Sequence, residues 1–74
     1  TLLLRRNISA PVIAGDYVVV GDFEGYLHWV ARSDGRFVAR QRLDKTGIRS
    51  QPVVRDGVLY AMTTGGKLSA IRIP

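Results

Sequence analysis

Apolar residues in this chain fall into short runs broken by glycine, aspartate and serine. No window of about eleven residues keeps them at i, i+3, i+4 and i+7 without a glycine or proline interrupting. Helices are therefore not expected. The runs Val12 to Ala14, Tyr17 to Gly21, Tyr26 to Val30 and Phe37 to Arg42 are separated by Gly15-Asp16, by Asp22-Phe23-Glu24-Gly25 and by Ser33-Asp34-Gly35. Short apolar runs between turn residues predict antiparallel strands, here a four-stranded meander. Val18-Val19-Val20 is apolar at consecutive positions, which requires cover on both faces of a sheet. Pro11 and Pro52 cannot donate to a ladder, so each marks a strand start or an unpaired position. Gly25 and Gly66 stand where a hairpin needs a residue that accepts positive φ.

The pattern recurs in the second half of the chain at one constant offset, the step from Ser9 to Ser50. Ser9-Ala10-Pro11-Val12-Ile13 aligns with Ser50-Gln51-Pro52-Val53-Val54, Val18 with Leu59, Gly25-Tyr26-Leu27 with Gly66-Lys67-Leu68, and Val30 with Ile71. A period of about 40 residues with about four strands per unit is that of a β-propeller blade; helical repeats of similar length need a patterning that is missing. The expected fold is all-β, built of antiparallel four-stranded blades of a β-propeller. About two blades' worth of strands are present, from a parent expected to have eight blades. Residues 1–6 read as the outer strand of a preceding blade, 8–43 as a complete blade, and 48–74 as three strands of the last blade. Such an order leaves blade edges open. Self-association through them is expected, with Thr1 to Arg6 of one copy completing the terminal blade of the next and four copies making eight blades.

Length adds a constraint. A chain of 74 residues removes only about 60% of its unfolded surface from water, so a partner or neighbouring sequence matters to its stability. Apolar residues at 46% and charged residues at 23% place it in the ordinary globular range. There is no cysteine, which excludes a disulfide framework and a thiolate metal site. The chain opens on Thr1 rather than methionine, and the apolar stretch at its start is too short for a signal peptide or a membrane span. It reads as a piece of a longer protein.

Nine arginines and two lysines against five aspartates and one glutamate leave a net charge of +5. That favours acidic partners. The arginines are scattered, whereas a nucleic-acid footprint clusters with a reading element, so solvated strand edges and loops are the better account of them.

Candidate chemistry is sparse. His28 has no second histidine and no cysteine with which to share a metal, and reads as a packed or surface histidine. Asp22 and Glu24 offer two acids in a turn, short of the roughly six to eight oxygens that Ca²⁺ takes, and read as solvated turn residues. The serines lack a nucleophile-elbow context. Of the aromatics Tyr17, Phe23, Tyr26, Trp29, Phe37 and Tyr60, most are expected between blades. Phe23, in a turn between two acids, and Trp29 are the two candidate protein-contact residues.

The stretch Leu27-His28-Trp29-Val30-Ala31-Arg32-Ser33-Asp34-Gly35-Arg36-Phe37-Val38 resembles, without gaps, the blade signature of the quinoprotein-like β-propeller family. Leu27, Val30, Gly35 and Val38 keep the pattern. Trp29 stands for the family's small alanine, Ala31 for its aspartate, Asp34 for its threonine, and Ala39 for its docking tryptophan. The runs Gly15 to Asp22, Glu24 to Trp29 and Asp34 to Ala39, with Ser50-Gln51-Pro52-Val53, more specifically resemble the closing blades of the family's lipoprotein branch, which serves in the outer-membrane β-barrel assembly machine.

The resemblance implies a non-enzymatic scaffold at the periplasmic face of the bacterial outer membrane. It also implies docking to the POTRA domains of BamA and to other assembly-complex subunits through the parent protein, and delivery of unfolded outer-membrane proteins. No cofactor is implied, and membrane attachment would come only through the parent's lipid anchor. The family's principal BamA contacts lie on earlier blades, so no binding residue is carried over. Two alternatives stay open: a fragment of a quinone-dependent dehydrogenase propeller, against which Ala31 and Ala39 argue, and a small basic nucleic-acid-binding domain.

Overall fold

The computed structural model describes residues 8–74; the strand expected over residues 1–6 lies outside them. The first three apolar runs and the Phe37 run become β1 (Val12–Ala14), β2 (Tyr17–Gly21), β3 (Tyr26–Ala31) and β4 (Phe37–Arg42), an antiparallel sheet in the order β1-β2-β3-β4. The repeat forms β5 (Val53–Arg55), β6 (Val58–Met62) and β7 (Leu68–Arg72), a second sheet in the order β5-β6-β7. No helix occurs among the described residues.

Register preserves the repeat. Val12 lies opposite Val19 and Val18 opposite Val30 in the first sheet; Val53 lies opposite Tyr60 and Leu59 opposite Ile71 in the second. Each pair of the second sheet is its counterpart in the first, moved by the offset that carries Ser9 to Ser50. The first sheet departs from a regular ladder once, where Trp29 pairs with Ala39 but Val30 pairs with Phe37, leaving Val38 as a bulge in β4.

The two sheets pack face to face. Because strand side chains alternate, Val12, Ala14, Tyr17, Val19, Leu27 and Trp29 share one face of the first sheet, and they meet Val54, Leu59, Ala61 and Ile71 of the second. Val19, Leu27 and Leu59 are fully buried there. Ile48, from the segment joining the sheets, fills the same core. It fits because Gly21 has no side chain: a Cβ there would lie 2.6 Å from Cβ of Ile48. The valine run behaves as its consecutive pattern requires, with Val19 and Val20 buried on opposite faces and Val18 half-buried.

Candidate interaction surface

At one end of the sheets three segments converge: the β2–β3 turn, the β6–β7 turn, and the residues after β4 that cross to the second sheet. Asp22 organises the first. Its Oδ1 accepts the backbone N–H groups of Glu24 (2.9 Å) and Tyr26 (3.0 Å), while Oδ2 accepts Nε2–H of His28 at 2.6 Å. Its backbone carbonyl accepts from Ile48 N–H at 2.7 Å, which ties the turn to the crossing segment. Burial by itself would raise the Asp22 carboxyl, but the hydrogen bonds from His28, Tyr26 and Glu24 outweigh it and hold the group below its ordinary value.

This arrangement corrects the reading of Asp22 as a solvated turn acid. The residue is 1% exposed, because Ile8 bridges to it on one side and the crossing segment covers the other. His28 is packed, as expected for a histidine without metal-binding partners, and its ring is held by Asp22. The repeat builds the same turn from a hydroxyl. Thr63 holds the place of Asp22 in the second unit, and its Oγ1 accepts Lys67 N–H at 3.1 Å, as Asp22 accepts Tyr26.

The crossing segment is clamped between the two turns. Gly25 has φ of +92°, and a Cβ there would strike the carbonyl oxygen of Asp44. Asp44 in turn accepts Lys45 N–H and the hydroxyls of Thr63 and Thr46, which hold its carboxyl below the ordinary range. Lys67 Nζ donates to the Leu43 carbonyl at 2.9 Å. Phe23 rides on this junction: its backbone lies so close to Gly47 that a Cβ there would be 2.7 Å from the Phe23 Cα. The residue is 46% exposed.

The two aromatics singled out in sequence are not brought to one surface. Trp29 is buried against Tyr17, edge to face, with ring centroids 5.7 Å apart. Phe37 and Tyr60, expected between blades, are exposed because each lies on the outward face of its sheet. Beside Phe37 on that face, Arg40 and Arg42 sit 5.0 and 5.4 Å from the Tyr26 ring centroid, a basic patch stacked on an aromatic. At the opposite end, Tyr17, Arg32, Arg36 and Val38 line an open groove of about 600 Å³, with Arg32 fixed on the Gly15 carbonyl.

Sequence reasoning missed the outward face of the second sheet. Val53, Tyr60, Met62 and Leu68 share it by register and are all exposed. Alternation along β6, taken with the repeat, was the signal that marks them as one face.

No protein-family model matches the chain. Among curated proteins, it is 44% identical over 72 residues to the outer membrane protein assembly factor BamB of Shewanella oneidensis, covering 97% of this chain and 18% of that protein. It is 45% identical over 69 residues to BamB of Escherichia coli K12, again over 18% of the relative. The crystal structure of BamB from Moraxella catarrhalis superposes with a TM-score of 0.84 over 93% of this chain, at 26% identity. The chain belongs to the BamB family. Its two sheets are blades of the BamB propeller fold, and the chain spans about a fifth of the length of the relatives it matches. The computationally designed Ika4 protein shares the fold, with a TM-score of 0.77 at 15% identity.

Proposed function

We propose that this BamB-family chain is a non-enzymatic scaffold segment in the assembly of outer-membrane β-barrel proteins, working at the periplasmic face of the bacterial outer membrane. In this reading it supports docking of the parent protein to the POTRA domains of BamA and the delivery of unfolded outer-membrane proteins. The observation that carries the proposal is identity of 44–45% to named assembly factors, sustained over 93–97% of the chain. The geometry agrees with it. The acid and histidine that stand closest together are both buried, and the carboxylate is occupied by backbone amides of its own turn. These groups shape a junction between blades. In this reading Phe23, beside that junction and 46% exposed, contacts another protein.

The test is a chimera in which this chain replaces the matching stretch of the E. coli relative, in cells lacking their own copy. Folded porin in the outer membrane is then read by its heat-modifiable migration on gels. The expected result is restoration of folded porin, with a partial loss when Phe23→Ser is added. A chimera that is folded by circular dichroism yet leaves porin at the level of the empty strain overturns the proposal.

A further inference from the structure

Of the five aspartates in the chain, Asp34 and Asp56 are followed by glycine. An aspartyl-glycyl bond is the one most open to attack by its own backbone, because no side chain shields the glycine nitrogen from the carboxyl group before it. Asp16, Asp22 and Asp44 are followed by Tyr17, Phe23 and Lys45, whose side chains stand in the way. The fold treats the two aspartyl-glycyl bonds differently. At Asp34-Gly35 both reacting groups are occupied: Gly35 N–H donates to the Ala31 carbonyl at 2.9 Å, and Asp34 Oδ1 accepts Arg36 N–H at 3.0 Å. At Asp56-Gly57 neither is. Among the described residues the Gly57 N–H and the Asp56 carboxylate have no hydrogen-bond partner, both residues are exposed, and a Cβ at Gly57 would meet nothing within 4 Å.

The turn explains the difference. Asp56 and Gly57 have φ of +53° and +76°, as a two-residue hairpin requires, and the ladder closes with Arg55 opposite Val58, leaving the amide between the two turn residues outside it. The matching turn of the first unit is Gly15-Asp16, the same pair in reverse order, which takes its aspartate away from glycine. We infer that Asp56-Gly57 is a site of spontaneous covalent modification, at which aspartate isomerises to isoaspartate through a succinimide. Gly57 N attacks Asp56 Cγ and forms the N–Cγ bond; the Cγ–O bond of the carboxylic acid breaks, and its hydroxyl leaves as water with the amide hydrogen. Water then reopens the ring. Attack at Cγ restores aspartate, whereas attack at the Asp56 carbonyl carbon breaks its bond to Gly57 N and leaves the chain running through the side chain. Composition is unchanged and water is the only co-reactant. The product lengthens the backbone by one carbon in a turn of two residues. Because the Gly57 carbonyl accepts Ile73 N–H at 2.9 Å and Ile73 packs on the core, the change loosens the residues after β7 as well as the β5–β6 register. The site lies in a turn beyond the ladder rather than on a sheet face, so blades stacked on either face leave it open.

The test ages the folded chimera described above, in which the remaining blades are present, at neutral pH in water labelled with heavy oxygen. The same protein unfolded in guanidinium is aged beside it. Digestion with a protease that cuts before aspartate but not before isoaspartate, followed by mass spectrometry, reads each site. In the folded chimera Asp56 should accumulate isoaspartate carrying one solvent oxygen, at about ten times the rate of Asp34 or more, since hydrogen bonds must break before Asp34 can react. Unfolding should bring the two rates together. Asp56→Asn keeps a residue the turn prefers and should reach the same ring faster, with loss of ammonia. Equal rates at Asp34 and Asp56 in the folded chimera overturn the inference. So does an Asp56 that stays unmodified while the unfolded sample reacts, or isoaspartate that carries no solvent oxygen.

Discussion

Asp22→Ala is the substitution the junction between the blades should tolerate least. It removes the acceptor for three donors at once, the N–H groups of Glu24 and Tyr26 and Nε2–H of His28. Hydrogen bonds to a charged group contribute about 1.5–3 kcal/mol each, but three on one carboxylate are not additive. With the carboxylate gone, two turn amides and the His28 ring lose their acceptor together, and a loss of about 2–3 kcal/mol is expected. For a chain this short such a loss is a large part of the total. Urea unfolding at one fixed chain concentration, followed by fluorescence of the sole tryptophan, buried Trp29, gives the number. Asp22→Asn keeps an acceptor for the two amides, and its NH₂ can donate to a neutral imidazole in the other tautomer, so a loss of about 1–2 kcal/mol is expected. Its use is in acid. The folded-state pKa of Asp22 lies below the ordinary value of 3.8. Its contribution is therefore complete above 3.8 and is lost as pH falls through the folded value. Subtracting the Asp22→Asn stability curve from the native one should show that loss and cancel the other acids. An Asp22→Ala cost under about 1 kcal/mol, or identical acid slopes for the native and Asn chains, would refute the account of the turn.

Two glycines with positive φ separate backbone conformation from contact. Gly35→Ala meets nothing within 4 Å and should lose only about 1–2 kcal/mol for its left-handed backbone. Gly25→Ala adds a collision with the Asp44 carbonyl and should lose at least about 3 kcal/mol; equal losses in urea unfolding would mean that the crossing segment yields freely. Trp29→Ala empties the space between the sheets and should cost about 3–5 kcal/mol, read by circular dichroism melting since the fluorophore is gone; a cost below about 1 kcal/mol would place the side chain outside the core.

The strands were legible in sequence because their cause is local. Alternating or continuous apolar runs a few residues long, bounded by Gly-Asp and Ser-Asp-Gly, leave few alternatives to antiparallel pairing, and the boundaries of β1, β2 and β4 follow those runs residue for residue. Asp22 was not legible in the same way. An aspartate opening a turn is ordinarily solvated, and its burial depends on Ile48, a residue far along the chain whose N–H reaches its carbonyl. The Asp22–His28 pair had a faint trace, a histidine three residues beyond the turn glycine, but nothing in the spacing says that the ring points toward the acid.

By itself, the sequence determined an all-β chain, a repeat carrying Ser9 onto Ser50, and turns placed to fold each unit into one sheet. It did so because strand pairing rests on near neighbours and a period of two. Only the tertiary structure decided which turn acid is buried. Asp22 and Glu24 flank Phe23 in one turn, yet Asp22 lies beneath the crossing segment and Glu24 faces outward. Burial depends on the surface packed against a residue, and no property of the residue or its own strand specifies that surface.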